Sequence, residues 1–384
     1  MKVAHATNCY SRQNGVVVAI DEYHSGLQKL GIESVILAPN DFSTRDENII
    51  QIDGSMWNGD FRGYSREAVF SPEVKEALKD VDLMHIHHIS IAFPRIGNPI
   101  TRLAFDYAKE RGKKVVFHNH TRNDIYLPVY STFCGLPPIS WIAPFIARKI
   151  NVRNCNDADC VIAPSESIEK MLRKWGVQSE IEIVPTSINF EQFSSGDRKR
   201  VRADYEIDDK TLVVAYIGRI SKEKNVFSLL PIAELAGVKL MFVGEGMCKK
   251  ELEMLVQRNK GLYGEGRTIF TGQKPYSEIQ NYYAAADVIV TASKSETQCL
   301  GVWEAHAAGK PVVALHAPGI EDYVQDDNGL LVDSPHKLKL DIKWLNEDRI
   351  KLAELAEGAR KVTGKRKLEK SSVERLSEIY ASLL

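Results

Sequence analysis

The chain has 384 residues, a length that fits two domains of ordinary size better than one compact unit. Hydrophobic residues make up 44% and charged residues 26% of it, which is a globular composition and excludes a disordered or collagen-like chain. The 50 basic and 51 acidic residues leave a net charge of -1, so a dedicated nucleic-acid-binding protein is not expected.

The cysteines and the apolar runs indicate the compartment. The six cysteines contain no C-x-x-C pair and no regular spacing, which favours free thiols in a reducing environment. No apolar run approaches the roughly 18 residues that a membrane span needs, and the N-terminal segment has a strand pattern rather than that of a signal peptide. We therefore expect a cytoplasmic protein, with a peripheral position on the inner face of the cell membrane as the alternative.

Short β-branched runs alternate with amphipathic stretches along the chain, as in βαβ units with buried parallel strands. In the first half the predicted strands are residues 3–7, 34–38, 83–87, 114–117, 160–163 and 182–184. In the second half they are residues 212–217, 239–243, 268–271, 288–291 and 311–315. The pattern predicts an α/β protein with two doubly wound, Rossmann-like domains in tandem.

A polar stretch at residues 194–200 interrupts this alternation and has the composition of an exposed connection. We place an N-terminal domain at residues 1–190 and a C-terminal domain at residues 191–365. Residues 366–384 are expected to form a helix that returns toward the N-terminal domain. Because ligands of such sheets bind at the carboxyl ends of the strands, the site is expected in the cleft between the two domains.

Residues 293–313 are the most informative segment and carry Glu296 and Glu304. On one continuous helix their spacing would separate the two carboxylates by about 12 Å and turn them apart. If Glu296 lies in a loop and Glu304 in the first turns of a helix, both can flank a phosphate bound at the helix N-terminus. That arrangement fits a nucleotide sugar, and two ordinary helix-entry carboxylates are the alternative.

A second cluster follows the first predicted strand of the C-terminal domain, where Gly218, Arg219 and Lys224 surround a turn. A planar guanidinium and an ammonium at a strand tip suit a diphosphate. A basic surface turn is the alternative. Both clusters predict the same site.

Five motifs of the second half occur in one order. They are Gly218-Arg219 with Lys224 and Asn225, residues 243–246 (Val-Gly-Glu-Gly), residues 282–288 (Tyr-Tyr-Ala-Ala-Ala-Asp-Val), Glu296 with Glu304, and residues 328–332 (Asn-Gly-Leu-Leu-Val). In this order they resemble the retaining glycosyltransferases of family 4, which have the two-domain GT-B fold. The first half resembles the family more loosely, through residues 14–16 (Asn-Gly-Val) and 118–121 (His-Asn-His-Thr).

The resemblance implies a role for each matching residue. Arg219 and Lys224 would hold the donor diphosphate, Glu304 the ribose hydroxyls, and Glu296 would lie against the donor hexose. His120 would touch the transferring sugar, with His118 as the alternative position, so the catalytic set is Glu296, His120, Arg219 and Lys224. The implied donor-binding set is Gly15, Gly218, Arg219, Lys224, Gly244, Gly272, Gln273, Lys274, Glu296, Thr297, Gln298, Cys299, Leu300, Gly301 and Glu304. Within it, the backbone of Gly272, Gln273 and Lys274 would read the base.

The chain departs from the family pattern at two positions. Cys299 stands where relatives with a Glu-Thr-Gln loop usually have glycine, and His306 stands where methionine is usual. A cysteine fits a glycine position only if its φ is negative. The path of the loop and its amide contacts therefore depend on Cys299.

No metal and no cofactor beyond the nucleotide-sugar co-substrate is expected. The resemblance implies that cations and loop amides neutralise the leaving diphosphate without a metal ion. His85, His87 and His88 lie near His118 and His120 in the predicted sheet, but His88 points to the other face and no acidic residue adjoins them. Solvated or hydrogen-bonded histidines at strand ends are the expected explanation.

The Glu296-Thr297-Gln298 loop, with residues 185–189 (Pro-Thr-Ser-Ile-Asn), is most similar to the branch that glucosylates diacylglycerol. This likeness implies a UDP-glucose donor, a lipid acceptor and contact with an anionic membrane surface. Residues 139–150, with Trp141, Phe145, Arg148 and Lys149, are the candidate interfacial helix, and a core helix is the alternative. A soluble sugar or polysaccharide acceptor, as in a GDP-mannose-dependent mannosyltransferase, and a GT-B nucleotide-sugar epimerase remain alternative functions.

Overall fold

The computed structural model describes residues 1–8, 10, 15–39, 48–52, 70–87, 100–126, 142–264 and 266–384. They form two α/β units, one of Met1–Ser187 with Lys370–Leu384 and one of Ile188–Glu369. Each unit is built on one parallel sheet, of seven strands in the first and six in the second. The two Rossmann-like sheets that the alternation predicts are confirmed.

The first sheet has the strand order β3-β2-β1-β4-β5-β6-β7. Its strands are β1 (Lys2–Thr7), β2 (Glu33–Pro39), β3 (Ile49–Ile52), β4 (Leu83–His87), β5 (Lys114–His118), β6 (Cys160–Ala163) and β7 (Ile181–Ile183). The strand order reverses between β1 and β4, which is the switch point of a doubly wound sheet. Strand β3 and, in the second sheet, β13 (Gly329–Val332) were not predicted, because β3 follows a polar run at residues 43–48 and β13 begins with a glycine.

The helices of the first unit cover both faces of its sheet. They are α1 (Gly15–Lys29), α2 (Pro72–Ala77), α3 (Ile100–Glu110), α4 (Ala143–Asp157) and α5 (Glu166–Trp175), together with the C-terminal helix α14 (Ser372–Leu383). One face packs against α1 and α14 through a single apolar cluster of Val3, Tyr23, Leu27, Leu83, Val116, Val373, Leu376 and Tyr380. The other face packs against α2, α3 and α5.

The second sheet has the strand order β10-β9-β8-β11-β12-β13. Its strands are β8 (Leu212–Ile217), β9 (Val238–Val243), β10 (Thr268–Gly272), β11 (Val288–Thr291), β12 (Val312–Leu315) and β13 (Gly329–Val332). Its helices are α6 (Phe190–Ser194), α7 (Arg198–Asp204), α8 (Lys249–Arg258), α9 (Lys260–Tyr263), α10 (Ile279–Ala285), α11 (Leu300–Ala307), α12 (Pro335–Glu347) and α13 (Arg349–Arg366). Three segments are 3₁₀-helical, namely Lys222–Lys224, Val226–Glu234 and Tyr276–Glu278.

The polar stretch at residues 194–200 is largely exposed, as its composition suggests, but it lies within the second unit and includes the start of α7. The Asp197 carboxylate caps α7 by accepting a hydrogen bond from the Arg200 amide at 3.0 Å. Arg198 and the buried Arg202 both pair with Asp287, at 2.9 and 2.6 Å. The charged residues that give this stretch the composition of a linker therefore fix α7 within the second unit.

The C-terminal helix α14 is fixed to the first unit by polar contacts at its start. Ser371 and Glu374 form a reciprocal capping box, which satisfies amides at the helix N-terminus. The Ser372 hydroxyl donates to the Glu22 carboxylate at 2.6 Å and lies 2.8 Å from the Ser187 hydroxyl. Among the helices that the structure describes, none is both long and apolar enough to cross a bilayer.

We predict that Leu376→Ala lowers the free energy of unfolding of the first unit by about 2–5 kcal/mol, because it opens a cavity under α14. Leu376 is wholly buried, whereas Leu368 is 88% exposed. Leu368→Ala is the matched control and should change stability by less than about 0.5 kcal/mol. Urea titrations measure both, and equal effects would contradict the packing of α14.

Candidate functional site

Three neighbouring strands of the second sheet end in loops that are joined by backbone hydrogen bonds. The Gly218 amide donates to the Val243 carbonyl at 2.9 Å, and the Gly244 amide donates to the Gly272 carbonyl at 3.0 Å. Gly244 has a φ of +142°, and a Cβ atom there would lie 2.0 Å from the Gly218 carbonyl oxygen. Only glycine permits this approach. The structure thus brings together three glycines of the predicted donor set.

Lys224 and Glu296 form a direct ion pair, with Nζ donating to Oε1 at 2.6 Å. Their side chains are 16% and 14% exposed, so water screens the pair only weakly. Burial raises the pKa of Glu296, but Lys224, a hydrogen bond from Ser293 and the charge of Arg219 together outweigh it and leave the pKa below its usual value. Glu296 is therefore a carboxylate at neutral pH.

Arg219 is positioned by a buried acid that the sequence analysis did not single out. Its guanidinium lies 3.0 Å from the carboxylate of Glu223, whose side chain has no exposed surface, while 44% of the Arg219 side chain is exposed. The Ser221 hydroxyl donates to the same carboxylate at 2.6 Å. Glu223 stands four positions after Arg219, and this spacing on a short helical turn is the signal that could have identified it.

Glu304 is buried on α11, and two tyrosines bind its two carboxylate oxygens. The Tyr283 hydroxyl donates to Oε2 at 2.6 Å and the Tyr276 hydroxyl donates to Oε1 at 3.1 Å. Burial raises the pKa of Glu304, and the two hydrogen bonds offset only part of that increase. Glu296 lies in the loop before α11 and Glu304 lies within α11, which is the placement that a shared site requires.

Cys299 is the N-cap of α11 and has a φ of +56°. The expectation that a cysteine needs a negative φ here is wrong, since the backbone keeps the left-handed geometry with a side chain attached. Burial raises the pKa of its thiol well above the usual value, so the thiol is neutral. Thr297 and Gln298 before it are buried, and Leu300 and Gly301 begin the helix.

The expected base-reading segment lies at the end of β10. Gly272 is the last residue of that strand, and its φ is +71°. Gln273 is exposed, and Lys274 is half-buried with its Nζ 5.3 Å from the centre of the Tyr282 ring. The segment is thus connected to the loop after β9 by the hydrogen bond from the Gly244 amide to the Gly272 carbonyl.

The first unit holds the remaining candidates. His120 lies two residues beyond β5 and is half-buried, whereas His118 ends β5 and is wholly buried. Burial lowers the pKa of His118 well below the usual histidine value, so its ring is neutral at physiological pH. Gly15 is the exposed first residue of α1. Other positions that the sequence analysis names lie outside the described residues, namely Asn14, His88 and Trp141.

Two family models match consecutive parts of the chain. Residues 13–192 match the model described as Glycosyltransferase Family 4, and residues 197–362 match the model described as Glycosyl transferases group 1. The chain belongs to the family 4 glycosyltransferases.

Among curated relatives of this glycosyltransferase are two proteins named alpha-monoglucosyldiacylglycerol synthase. The protein of Acholeplasma laidlawii is 25% identical over 344 residues, which are 85% of this chain and 83% of that protein. The protein of Streptococcus pneumoniae is 33% identical over 195 residues, 48% of this chain and 44% of that protein. The Arabidopsis thaliana sulfoquinovosyl transferase SQD2 is 30% identical over 58% of this chain and 42% of its own length. The glycosyltransferase thus matches less than half the length of two of these relatives.

A solved structure supports the GT-B architecture of the glycosyltransferase. The crystal structure of Anabaena Alr3699/HepE in complex with UDP has a TM-score of 0.77 at 18% identity, and both chains are fully covered. At that identity the likeness shows the fold alone. Other relatives by sequence include GDP-mannose-dependent alpha-mannosyltransferases, so family membership does not by itself define the donor.

Helix α4 of the glycosyltransferase directs its large apolar side chains outward. Phe145 is 57% exposed and Ile146 is 39% exposed, and the Lys149 ammonium lies 4.6 Å from the centre of the Phe145 ring. Arg148 is also exposed, where it stacks on Trp175 and pairs with Asp124 at 3.5 Å. The buried positions of the helix hold Ala143, Ala147, Asn151, Asn154 and Cys155.

We predict that Glu304→Gln changes the pH dependence of stability. Because the folded state raises the pKa of Glu304, its stabilising effect is full below the usual glutamate pKa and is lost as pH rises through the raised value. The variant should therefore be more stable relative to wild type at about pH 8 than at about pH 4. Melting temperatures at both values measure the difference. The exposed Glu347→Gln, as control, should show none, and a pH-independent offset in Glu304→Gln would contradict the burial effect.

Proposed function

We propose that the chain transfers a hexose from a nucleotide-diphosphate sugar to a hydroxyl acceptor with retention of anomeric configuration. In this proposal the donor is UDP-glucose and the acceptor is a lipid such as diacylglycerol. The Ile188–Glu369 unit binds the donor, and the unit that contains Met1–Ser187 serves the acceptor side. The observation that carries the proposal is the ion pair of Lys224 with Glu296, beside Arg219 and on the loop that leads to Glu304.

The charges of this loop cluster suit a sugar diphosphate. Arg219 and Lys224 supply two positive charges for the diphosphate, and Glu223 holds the guanidinium at the strand end. Glu304 accepts hydrogen bonds from two tyrosine hydroxyls. The hydroxyl groups of a ribose are hydrogen-bond donors of the same kind. The segment of Gly272, Gln273 and Lys274 would contact the base through its backbone. A single ligand with a base, a ribose, two phosphates and a hexose uses all these groups.

The proposed reaction follows from how charge develops. As the glycosidic bond breaks, the sugar carbon becomes oxocarbenium-like and the diphosphate gains negative charge. The Glu296 carboxylate would stabilise the positive sugar, while Arg219 and Lys224 would stabilise the leaving diphosphate. The departing phosphate oxygen would accept the proton of the acceptor hydroxyl, so no separate base is needed. His120 would contact the sugar from the first unit.

Two observations favour a lipid acceptor over a soluble sugar. The names of two relatives specify diacylglycerol, and one of them is matched over 85% of this chain. Helix α4 exposes Phe145 and Ile146 beside Lys149, a combination that suits the interface of an anionic membrane. We propose that the protein acts on the cytoplasmic membrane face as a peripheral enzyme, with α4 as the contact.

We predict that Glu296→Gln lowers kcat about 100- to 1,000-fold, because it removes a charge that acts mainly in the transition state. The dissociation constant of the donor should change less than about tenfold, since the cations remain. Steady-state turnover assays measure kcat, and calorimetry measures the dissociation constant of the donor. The exposed Glu253→Gln is the control and should keep wild-type turnover. Equal losses of binding and turnover would contradict a transition-state role.

We predict that diacylglycerol in mixed micelles accelerates the release of UDP from UDP-glucose by the full chain. The assay compares UDP-glucose with UDP-galactose, UDP-N-acetylglucosamine and GDP-mannose, each with and without the lipid. Lipid-stimulated release from one donor supports the glycolipid synthase. Release only with soluble sugars would make the soluble-acceptor alternative correct. If none of the acceptors leads to release of nucleoside diphosphate from any donor, the proposed transfer is rejected.

We predict that Phe145→Ser combined with Ile146→Ser weakens binding to vesicles that contain anionic lipid by at least about tenfold. Burying each side chain in the interface contributes about 1.5–3 kcal/mol, and serine removes that contribution. Sedimentation of the full chain with vesicles measures the affinity. Leu262→Ser is the control, because Leu262 is 49% exposed on α9 in the other unit. Unchanged binding in the double variant would exclude α4 as the contact.

A further inference from the structure

The first sheet gathers five histidines between the middle and the carboxyl ends of β1, β4 and β5, namely His5, His85, His87, His118 and His120. The strand register produces this cluster, because His5 pairs with His85 and His87 pairs with His118 across neighbouring strands. Residues that are paired in this way point to the same face of a sheet. The rings lie close together, with centroids 4.1 Å apart for His85 and His87 and 3.6 Å apart for His118 and His120.

The cluster lies beneath α1 and α14, where water is excluded. Tyr23 of α1 stacks 5.9 Å from the His118 ring, and the Tyr380 hydroxyl of α14 is hydrogen-bonded to His85 Nδ1. His5, His85, His87 and His118 expose 1% of their surface or less. Burial thus excludes the solvated alternative for His85, His87 and His118. The hydrogen-bonded alternative fits His85, which is bonded to Tyr380, and His87, which is bonded to His5 and His120.

Several of these buried nitrogens lack a hydrogen-bond partner among the described residues. They are His5 Nε2, His85 Nε2 and both ring nitrogens of His118. Buried polar side-chain atoms nearly always have a partner, so a group of nitrogens without one calls for an explanation. A bound cation would supply the missing partner, because a neutral imidazole nitrogen is a metal ligand.

Two triads bring their nitrogens close enough to share one ion, His5 with His85 and His87, and His87 with His118 and His120. In each triad one nitrogen from every ring lies within 4.8 Å of the others. Three imidazoles with an open fourth position form a common zinc arrangement, and imidazole also suits copper and nickel. The second triad is the better candidate because His120 is half-buried and gives an ion a route from solvent.

We propose that His87, His118 and His120 bind a divalent transition-metal ion of the Zn²⁺ class. His87 Nδ1 and His120 Nε2 are hydrogen-bonded at 3.0 Å, and an ion with Zn–N bonds of about 2.0–2.1 Å to both nitrogens would replace that hydrogen bond. His118 contributes a nitrogen that has no other partner in the described part of the chain. The proposed transfer reaction does not use the ion.

The site has a consequence for activity, and this consequence rests on the proposed function. If His120 contacts the transferring sugar, an ion on its ring nitrogen removes that side chain from the sugar. Zn²⁺ should then inhibit transfer at the concentrations at which it binds, and a chelator should restore the rate. Binding is measured separately, so a chain without transfer activity still tests the site.

The experiment titrates the metal-stripped full chain with Zn²⁺ by calorimetry and with Co²⁺ by visible absorption, which reports the ligand geometry. We expect one ion per chain in the wild type. Affinity should fall at least about tenfold in His118→Gln and in His120→Gln, because each loses a ligand. His316→Gln is the matched control, since His316 is exposed in the second unit, and it should keep wild-type affinity.

His5→Gln decides between the two triads, because His5 belongs only to the wholly buried one. If His5→Gln keeps its affinity for Zn²⁺, the assignment to His87, His118 and His120 is supported. If His5→Gln loses that affinity while His120→Gln keeps it, the assignment is overturned. Absence of binding in the wild type also overturns it. Where His118→Gln fails to fold, as its melting curve would show, the half-buried His120→Gln carries the test. If Zn²⁺ binds but does not inhibit transfer, the inhibitory consequence is wrong.

Discussion

The register of parallel strands is the constraint on which both candidate sites depend. Parallel strands all end at one edge of their sheet, so residues near those ends become neighbours however far apart they lie in sequence. In the second unit this edge brings Lys224 into contact with Glu296, although the two residues lie 72 positions apart in sequence. In the first unit it places His87 beside His118. The same backbone rule thus produces a charged cluster in one unit and a neutral, nitrogen-rich cluster in the other.

The charged cluster is compatible with burial because each of its carboxylates has partners. Glu296 and Glu223 each have a cation and a serine hydroxyl, whereas Glu304 has two tyrosine hydroxyls. Lys224 holds the pKa of Glu296 below its usual value despite burial, whereas the hydroxyls leave the pKa of Glu304 raised. Two acids eight positions apart therefore differ in electrostatic character, which suits one to a developing cation and the other to neutral hydroxyls.

The fold was predictable from the sequence because parallel strands are buried on both faces and appear as continuous apolar runs. Strands β3 and β13 were not predictable in this way, because β3 follows a polar run and β13 begins with a glycine. Nor was the place of residues 194–200 within the second unit, because their composition resembles that of a linker. Of the candidate site, the glycines and cations could be identified by their order along the chain. The partners of Glu304 could not, because Tyr276 and Tyr283 reach it from a different helical segment. Nor could the φ of +56° at Cys299, which depends on the packing around that loop.

The chain passes between the two units twice, since Met1–Ser187 and Lys370–Leu384 flank the Ile188–Glu369 unit in sequence. Both units therefore complete their cores only when nearly the whole chain has been made, because α13 and α14 are its last two helices. Until α14 arrives, Tyr23 and Leu27 of α1 lack the apolar residues that cover them in the finished cluster. The strands of the first sheet are thus made well before the helix that completes the cover of one of its faces, because β7 ends at Ile183 and α14 begins at Ser372.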